Sequence, residues 1–344
     1  MSDSAHGAHE LHSGGQPSSR RVRLADVAAL AGVATSTASR ALSDPGRVHR
    51  ETRRRVLDAA RELGYSPGNA DSNPAVPCIA LLVPDITNPY YAELTRGIQA
   101  RLGSSGRMLL LADTEESATA EQSVISRVAA LAAGVILGAT RLDDARLRAA
   151  REAVPLVLVN RRAEGFWSVC GDSATGVRQA VDHLQSLGHR RIAYLSGPAD
   201  SWPDQERCCA FEQAIDQRGL SAVRLGPFLP SAESGAAAAD AALNAGASAC
   251  LAYNDMLAMG VIRRLTERQL RVPAEFSVVG CDDVPGSAYC NPPLTTVTAD
   301  TRRLGATAAG LLLALLEHSD HQPETIILPS HLTVRASSAA AADQ

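Results

Sequence analysis

Apolar residues recur with the three- and four-residue spacing of a helix in the first part of the chain. Three segments share this spacing, and their inward positions are Leu24, Val27, Ala28 and Ala31, then Ala38, Ala41 and Leu42, then Thr52, Val56, Ala59 and Leu63. Gly32-Val33 interrupts the pattern between the first two segments. This arrangement predicts a helix-turn-helix that is completed by a third helix.

The second of these helices keeps a polar outward face of Thr35, Ser36, Ser39 and Arg40. Short hydroxyls and a bidentate guanidinium suit the base edges and phosphates of a DNA major groove. Residues 20–65 carry ten Arg against five acidic residues, a net charge of +5 in a chain whose net charge is −4. An ordinary basic three-helix bundle with a solvated arginine face is the alternative interpretation.

Beyond Cys78 the pattern changes to short, continuous apolar runs separated by amphipathic segments. The runs CIALLV, MLLLA, GVILGA, PLVLV, RIAYL, ACLAY and FSVVG predict buried strands, and the last of them ends the series. Such strands with helices between them predict parallel sheets covered on both faces. Because the alternation occurs twice, we expect an α/β core of two lobes behind an all-α helix-turn-helix headpiece.

Composition marks the boundaries of these parts. Residues 1–19 and 336–344 are rich in small and polar residues and are predicted to be disordered tails. The helix-turn-helix domain is expected at residues 20–67, and a linker rich in turn-forming residues at 68–77. The two-lobed domain then occupies residues 78–335.

Polar residues follow several of the predicted strands, in the segments Asp85–Tyr91, Asn160–Arg162, Asn254-Asp255 and Asp282-Asp283. Because ligands of open parallel sheets lie beyond the carboxyl ends of the strands, these residues predict a ligand cleft. Amide, carboxylate and guanidinium groups with a few aromatic rings suit a polyhydroxylated ligand. The aromatic residues near these loops are Tyr90, Tyr91, Trp202 and Phe228. For Tyr91 and Phe228, a place in the core of a lobe is an equal alternative.

The run LADVAALAGVATSTASRAL, followed by RVHRETRRRVLDAARELGYSP, resembles the DNA-binding headpiece of the lactose/galactose repressor (LacI/GalR) family. The matching positions include Asp26, Ala31, Gly32, Thr37, Ser39, Arg40, Tyr65 and Pro67. The resemblance implies that Thr35, Ser36 and Arg40 read bases. It also implies that Thr37 and Ser39 hold phosphates, and Arg47 completes the expected DNA-binding set.

The resemblance continues from Ile79 to about Arg335, in segments such as PDITNPYYAEL, LGHRRIAYLSGP, YNDMLAMGV and SVVGCDDVP. The family core is similar to periplasmic sugar-binding proteins and forms a homodimer in which closure of the lobes repositions the headpieces. The effector-binding residues implied here are Asn88, Tyr90, Arg207, Phe228, Asn254 and Asp282. Trp202 joins the expected set because it is an aromatic residue near a predicted cleft loop. Among them, Phe228 is expected to cover the ligand with its aromatic face.

Two features depart from the family pattern. The linker carries Asp71 and Pro74 where the family has a hinge helix that inserts leucine side chains into the minor groove. Phosphates repel an acidic side chain, and Pro inside a helix costs about 3 kcal/mol, so we expect no such wedge. Arg23, Ala34 and His49 replace the usual N-cap hydroxyls. Each lost cap costs about 1 kcal/mol, which predicts a marginally stable headpiece.

Nothing in the sequence indicates an enzyme, a cofactor or a metal site. Asp282-Asp283 alone make no catalytic dyad, and His183, His189 and the seven Cys form neither a nucleophile–base set nor a zinc motif. No apolar segment has the length of a signal sequence or a membrane span. We therefore expect a soluble, cytoplasmic, nucleoid-associated protein that makes no membrane contact.

The sequence thus predicts a homodimeric transcriptional regulator, most simply a repressor, that binds double-stranded DNA at an inverted-repeat operator. Its expected effector is a small molecule, in the first place a sugar. The alternative is a cytoplasmic sugar-binding sensor with impaired operator recognition, which the altered linker and the missing caps favour. Specific and non-specific duplexes that bind equally well, with equal salt dependence, would favour the sensor over the regulator.

Overall fold

The computed structural model describes residues 24–43, 48–63, 78–103, 105–317 and 322–342. The chain divides into two compact units, residues 1–75 and 76–344. Arg47, the linker with Asp71 and Pro74, and the N-terminal segment predicted to be a tail lie outside the described residues. The predictions for these segments therefore stay predictions.

The first unit contains the helices α1 (Leu24–Ala31), α2 (Thr35–Ser43) and α3 (Arg50–Glu62). Their inward faces meet in a small core of Val27, Ala28, Ala31, Ala38, Ala41, Val56, Ala59 and Ala60. Gly32 lies between α1 and α2 at a φ of +63°, a backbone conformation that favours glycine. The predicted helix-turn-helix with a third helix is confirmed.

A side chain from α3 holds the turn between the first two helices. The N-cap residue of α3, His49, makes no side-chain hydrogen bond to its helix, as its lack of a hydroxyl predicts. Arg55, further along α3, donates from Nη2 to the backbone oxygens of Ala31 and Gly32. Since the last carbonyls of a helix lack partners within it, this guanidinium stabilises the C-terminal end of α1.

The second unit contains two six-stranded sheets. Their strands are β1 (Cys78–Val83), β2 (Met108–Asp113), β3 (Ala132–Gly138), β4 (Leu156–Val159), β5 (Trp167–Gly171), β6 (Arg191–Leu195), β7 (Ser221–Leu225), β8 (Ala249–Ala252), β9 (Ser277–Cys281), β10 (Thr295–Ala299), β11 (Thr325–Leu328) and β12 (Ser330–Thr333). The first lobe has the strand order β11-β5-β4-β3-β1-β2, and the second lobe has β12-β10-β9-β8-β6-β7. Neighbouring strands in the described sheets are parallel, apart from β12, which runs antiparallel to β10.

Helices cover both sheets on both faces. They are α4 (Pro89–Leu102), α5 (Ala118–Val128), α6 (Asp144–Ala153), α7 (Ser173–Ser186), α8 (Trp202–Gln217), α9 (Gly235–Asn244), α10 (Asp255–Glu267) and α11 (Thr301–Glu317). Each sheet separates two buried apolar clusters, one on either face. The predicted two-lobed α/β core with covered parallel sheets is confirmed.

The chain passes between the lobes three times, from β5 to α7, from β10 to α11 and from β11 to β12. The prediction that FSVVG is the last strand is therefore wrong. After it, β10 and β12 extend the second sheet, while α11 and β11 return to the first lobe. Leu304, Ala308 and Leu312 of α11 pack in the same core as Leu94 and Ile98 of α4.

The prediction of a disordered tail at residues 336–344 is wrong for residues 336–342. Ser337 is completely buried, and its Oγ donates to the Val278 oxygen at 2.6 Å and accepts from the Thr295 N–H at 2.8 Å. The Ala339 N–H donates to Ser277 Oγ at 3.1 Å. Small Ser and Ala side chains, which resemble a low-complexity tail in sequence, allow this segment to lie close against the second lobe.

Candidate ligand cleft and nucleic-acid interface

A cleft lies between the two lobes, where the carboxyl ends of several parallel strands meet. Its lining consists of Asn88, Tyr90, Tyr91, Glu116, Ala139, Asn160, Pro203, Arg207, Pro230, Tyr253, Asn254 and Asp282. The lining includes five of the seven predicted effector residues. Polar groups gather here because the loops after parallel strands open to the same edge of each sheet.

Arg207 and Asp282 form a charged wall of the cleft. Arg207 Nη2 lies 2.8 Å from Asp282 Oδ1, and Nη1 donates to the backbone oxygen of Tyr253. Arg207 Nε is buried and has no hydrogen-bond partner within the described part of the chain. Leaving a buried donor unpaired costs about 1–3 kcal/mol. The wall therefore offers a donor that a ligand oxygen can satisfy.

The carboxylate of Asp282 complements this donor. Burial raises the pKa of Asp282, and the Arg207 guanidinium opposes that shift. A carboxylate accepts through both oxygens, whereas a hydroxyl can donate and accept at once. A pair of neighbouring hydroxyls can therefore accept from Arg207 and donate to Asp282.

Asp255 holds the loop that presents Asp282. Its carboxylate accepts hydrogen bonds from the Val284 N–H at 3.0 Å, from Thr296 Oγ1 at 2.5 Å and from Ser287 Oγ. Burial raises the pKa of Asp255 to about 7, with the nearby Asp282 charge acting in the same direction. These bonds fix the loop to the first turn of α10.

Asp283, the neighbour of Asp282, makes its side-chain contacts within the second lobe. It pairs with Arg335 at 2.6 Å and accepts a hydrogen bond from Thr298 Oγ1 at 3.1 Å. The two adjacent carboxylates therefore have different partners. This arrangement does not bring them together as a catalytic dyad.

On the first lobe, Tyr90 and Asn160 form a polar pair in the cleft lining. Asn160 Nδ2 donates to the Tyr90 hydroxyl at 2.7 Å, and Asn160 Oδ1 accepts from the Gly171 N–H at 3.2 Å. Burial raises the pKa of Tyr90, so its hydroxyl stays protonated and able to donate. Asn160 was recognised only as a strand-end residue in the sequence.

Asn88 and Asn254 occupy matching positions on the two lobes. Asn88 begins α4, and its Oδ1 accepts from the Tyr90 N–H at 3.0 Å. Asn254 begins α10 in the same way, accepting from the Leu257 N–H at 2.9 Å. Both amides cap helices whose N-termini adjoin the cleft, and the rigid caps orient the remaining amide hydrogens.

Glu116 lines the cleft but was not predicted from the sequence. Its Oε2 accepts from Arg141 Nε at 2.8 Å and from Arg141 Nη2. Burial raises the pKa of Glu116, and Arg141 opposes the shift. The sequence places this glutamate in the polar stretch TEES, 25 residues before its partner. The one signal in the sequence was that Glu116 comes shortly after the predicted strand MLLLA, just as the other cleft residues come shortly after predicted strands.

Backbone strain is concentrated at the cleft. Apart from glycines, the described residues with a positive φ are Glu115, Glu116, Ala139, Asn160, Gln269, Asp282 and Asp283. Four of them line the cleft. Such conformations cost about 1–3 kcal/mol each and persist where the surrounding structure determines them, which is common at ligand sites.

Two predicted effector residues, Phe228 and Trp202, lie outside the cleft lining. Phe228 is half-buried and packs against an apolar core cluster of the second lobe, the alternative considered for it. Trp202 begins α8, and the Arg162 guanidinium of the first lobe lies 5.1 Å from its ring. Arg162 also pairs with Glu206 of α8. Trp202 thus takes part in a contact between the lobes.

On the first unit, α2 exposes most of the side chains predicted to contact DNA. Thr35, Ser36, Ser39 and Arg40 are exposed, and Thr37 is partly buried. The inward side of the helix consists of the small, buried residues Ala38 and Ala41 together with the partly buried Leu42. The polar face is therefore free of the core and has the dimensions to enter a major groove about 12 Å wide.

The described residues contain neither a metal-binding cluster nor a membrane-spanning helix. No three His, Cys, Asp or Glu side chains among them come close enough together to hold a metal ion. Within the same ranges, each helix is too short or too polar to cross a membrane.

Comparison with known proteins relates both units to one family. The family model for bacterial regulatory proteins of the lacI family matches residues 23–68. The model for a periplasmic binding protein-like domain matches residues 181–338. The two matches fall on the helix-turn-helix unit and on the two-lobed unit respectively.

Curated relatives align along nearly the whole chain. The HTH-type transcriptional regulator MalR of Streptomyces coelicolor is 34% identical over 340 residues, which cover 93% of this chain and 97% of that protein. The HTH-type transcriptional repressor CytR of Escherichia coli is 30% identical over 328 residues, covering 92% of this chain and 96% of that protein. These relatives are DNA-binding regulators and not enzymes.

Solved structures have the same fold. The lac repressor dimer bound to operator and an anti-inducer superposes with a TM-score of 0.70 at 29% identity, covering 93% of this chain and 100% of that chain. The CelR–cellobiose complex gives a TM-score of 0.69 at 31% identity, with 92% and 100% coverage. A ribose-bound regulator from Enterococcus faecium gives 0.70 at 27% identity, with 76% and 99% coverage. With its helix-turn-helix, its two-lobed core and relatives aligned over both, the chain belongs to the LacI family of bacterial transcriptional regulators.

Proposed function

We propose that this protein is a homodimeric repressor whose affinity for operator DNA is controlled by a small molecule bound between its lobes. The observation that carries the proposal is the buried, unpaired Arg207 Nε beside Asp282 in the cleft. Buried polar groups in native proteins are almost always satisfied, so an unpaired N–H at the cleft is suited to donate to a ligand oxygen. The exposed polar face of α2 is the proposed DNA-binding surface, and the ligand is proposed to control its affinity for the operator.

The DNA-binding part of the proposal rests on α2. Thr35, Ser36 and Arg40 contact base edges, while Thr37, Ser39 and Arg47 contact phosphates or lie beside them. A homodimer places two such helices about a two-fold axis, so the operator is an inverted repeat. Residues 20–67 then read DNA, residues 68–77 connect, and the remaining core binds the effector and dimerises.

The effector part of the proposal is a sugar. Hydroxyl pairs match the Arg207–Asp282 wall, and the structural relatives with cellobiose and with ribose carry sugars. Asn88, Tyr90 and Asn254 are proposed to add further contacts.

The protein acts, in this proposal, as a regulator and not as an enzyme. The cleft offers hydrogen-bonding groups, but its carboxylates Glu116 and Asp282 are held by Arg141 and Arg207. The protein's place of action is the cytoplasm, where operator DNA lies.

A sugar sensor with impaired operator recognition is the second candidate. His49 caps no N–H of α3 through its side chain, which favours a weakened headpiece. Arg55 opposes this reading, because its contacts with Ala31 and Gly32 stabilise the turn before α2.

Selection of bound fragments from random duplex DNA by the purified protein tests the proposal. We expect an enriched inverted repeat of fixed spacing. Half-sites at variable spacing would show that the headpieces read DNA without a linker that sets their geometry. The absence of any enriched sequence would favour the sensor.

A further inference from the structure

The cleft contains a second carboxylate, on the lobe opposite Asp282. We propose that Glu116, held by Arg141, is a specificity-determining residue that accepts a hydrogen bond from a ligand hydroxyl and restricts the cleft to uncharged polyhydroxylated ligands. The inference rests on the proposed function of the cleft as an effector site. It adds the charge class of the effector and the residue that selects it.

The position of Glu116 is fixed from behind. Arg141 is almost completely buried, its Nη1 donates to the Ala139 oxygen at 3.2 Å, and its backbone N–H donates to Glu121 Oε2 at 2.9 Å. Both of its hydrogen bonds to Glu116 go to Oε2, which leaves Oε1 for a ligand hydroxyl. A residue that lines the cleft and is clamped in this way is preorganised to bind.

The formal charges of the cleft lining, taken together with Arg141, sum to zero. The ionisable acidic and basic residues of the lining are Glu116, Arg207 and Asp282, and Arg141 directly behind Glu116 makes the sum zero. Each guanidinium already faces its own carboxylate. A phosphate on the ligand would carry about −1.5 to −2 charges at neutral pH. It would approach carboxylates on both lobes and find one unpaired arginine N–H, which is too little to offset the repulsion.

A hydroxyl group fits the same surroundings. It can donate to Glu116 or Asp282 while it accepts from Arg207 Nε, and unlike a phosphate it adds no net charge to the cleft. The two carboxylates on opposite lobes therefore act as acceptors at two ends of one neutral ligand. Removing the charge of Glu116 removes one of the two negative charges of the cleft lining and should make the cleft more tolerant of an anion.

Matched ligand pairs test this selectivity by calorimetry with the full-length protein. The probes are D-ribose with D-ribose 5-phosphate, D-glucose with D-glucose 6-phosphate, and adenosine with adenosine 5′-monophosphate. In at least one pair we expect the uncharged member to bind at least about tenfold more tightly. Tighter binding of a phosphorylated member, or no binding of any uncharged probe, would show that the inference is wrong.

The variant Glu116→Gln isolates the charge, because its amide oxygen can still accept from Arg141. We expect its preference for the uncharged probe to shrink by at least about fivefold, with little change in melting temperature. Glu115→Gln, at the exposed neighbouring position, is the matched control and should keep the wild-type preference. Glu116→Asp, which keeps the charge, should keep discrimination against phosphate even if it weakens binding. An unchanged preference in Glu116→Gln would assign Glu116 a purely structural role and overturn the inference.

Operator binding of the same samples separates the two claims. If a phosphorylated sugar binds the wild type and alters its affinity for a selected operator, the regulator proposal stands and the inference about Glu116 fails. If the wild type selects no DNA sequence, the regulator proposal fails, while the calorimetric preference still decides the role of Glu116.

Discussion

Two buried polar side chains in this protein differ in whether their nitrogen atoms have hydrogen-bond partners. In the cleft, Arg207 Nε is left without a partner in the described structure. In the second lobe, both nitrogens of the His189 ring are hydrogen-bonded. Nδ1 lies 2.8 Å from Ser248 Oγ, and Nε2 lies 3.0 Å from Ser277 Oγ. The first arrangement suits a site at which a ligand oxygen can accept from the unpaired N–H, and the second suits a permanent structural contact.

The His189 tie predicts a pH dependence of stability. Burial lowers the pKa of His189 below its ordinary value, so the unfolded chain binds a proton more readily than the folded one. The stabilisation is therefore present above the ordinary value of about 6.5 and is lost as the pH falls below it. We expect the contribution of His189 to the free energy of unfolding, taken as the difference between the wild type and His189→Gln, to fall between about pH 7 and pH 5. Urea unfolding across this range measures the effect.

The variant His189→Gln should flatten this dependence, since it retains hydrogen bonding without a titrating ring. His331→Gln serves as the control, because this histidine is exposed. Equal pH dependence in the wild type and in His189→Gln would rule out His189 as its origin.

The polar residues of the cleft could be predicted from the sequence only where they directly follow a predicted strand. Asn254 and Asp282 directly follow or end apolar strands, and the family resemblance assigned both in advance. Glu116 was missed because nothing local distinguishes a clamped glutamate from a solvated one. Phe228 was placed in the cleft on the basis of the resemblance, whereas its ring packs against the lobe core. The positions of Glu116 and Phe228 both depend on contacts with residues that are distant in the sequence.

At the scale of helices and strands, the crossing of α4 and α11 determines how the C-terminal part of the chain returns to the first lobe. Two glycines allow the helices to approach backbone to backbone. A Cβ at Gly305 would lie 2.2 Å from the Leu94 oxygen, and a Cβ at Gly97 would lie 2.0 Å from the Arg302 oxygen. No side chain can give way there, because the obstacles are main-chain atoms.

Gly305→Ala should therefore destabilise the two-lobed unit. We expect a loss of at least about 2 kcal/mol in the free energy of unfolding, since overpacking against a rigid backbone forces the helices apart. Gly310→Ala on the same helix is the control, because its Cβ would meet only the Arg101 side chain at 3.5 Å. The control should be neutral or stabilising by up to about 1 kcal/mol. Similar unfolding curves for the two variants would contradict the close crossing.

The recognition helix supports a prediction about sequence readout. Arg40→Ala should cost about 1–3 kcal/mol of operator affinity and relax the preference at one base position of each half-site. Arg61→Ala, which removes the same charge from the exposed surface of α3, should weaken binding without changing the preferred sequence. Repeating the DNA selection with both variants checks this. An unchanged preference in Arg40→Ala would remove Arg40 from the base-reading set.

Elements were predictable from sequence where burial on both faces produces continuous apolar runs. The strand β1 matches its prediction residue for residue, as does β6. The edge strand β7 was missed because its sequence SAVRL is half polar, and β10 was missed because its threonines are buried through hydrogen bonds. The return of α11 to the first lobe depends on packing with α4, which no local pattern encodes.

At the scale of the whole core, a few charged contacts join the lobes across the cleft. Arg162 reaches from the first lobe to Trp202 and Glu206 of α8. Arg141 lies 3.9 Å from Asp200 of the second lobe. These contacts are partly exposed and therefore weak, about 0–1 kcal/mol each. Because these contacts are weak, the binding energy of a ligand would be sufficient to change the relative arrangement of the lobes.

Arg162→Ala should loosen the arrangement seen here. We expect ligand affinity to fall by about two- to tenfold, because about 1 kcal/mol of cation–π and ionic contact between the lobes is lost. Arg218→Ala is the matched control, since its ion pair with Asp182 lies within the second lobe. Calorimetry with the probe that binds the wild type measures the difference. Equal affinities in the two variants would show that the Arg162 contact has no part in ligand binding.

The central claim is that the cleft controls DNA affinity, and one titration tests it most directly. The affinity for a selected operator duplex is measured by fluorescence anisotropy with and without ribose, glucose, cellobiose and adenosine. For the wild type, at least one compound should change the Kd by about 5- to 150-fold. Asp282→Asn should bind the operator equally well yet lose this response, while Asp283→Asn keeps it. An operator affinity that no compound changes, or a response that survives in Asp282→Asn, would contradict the account.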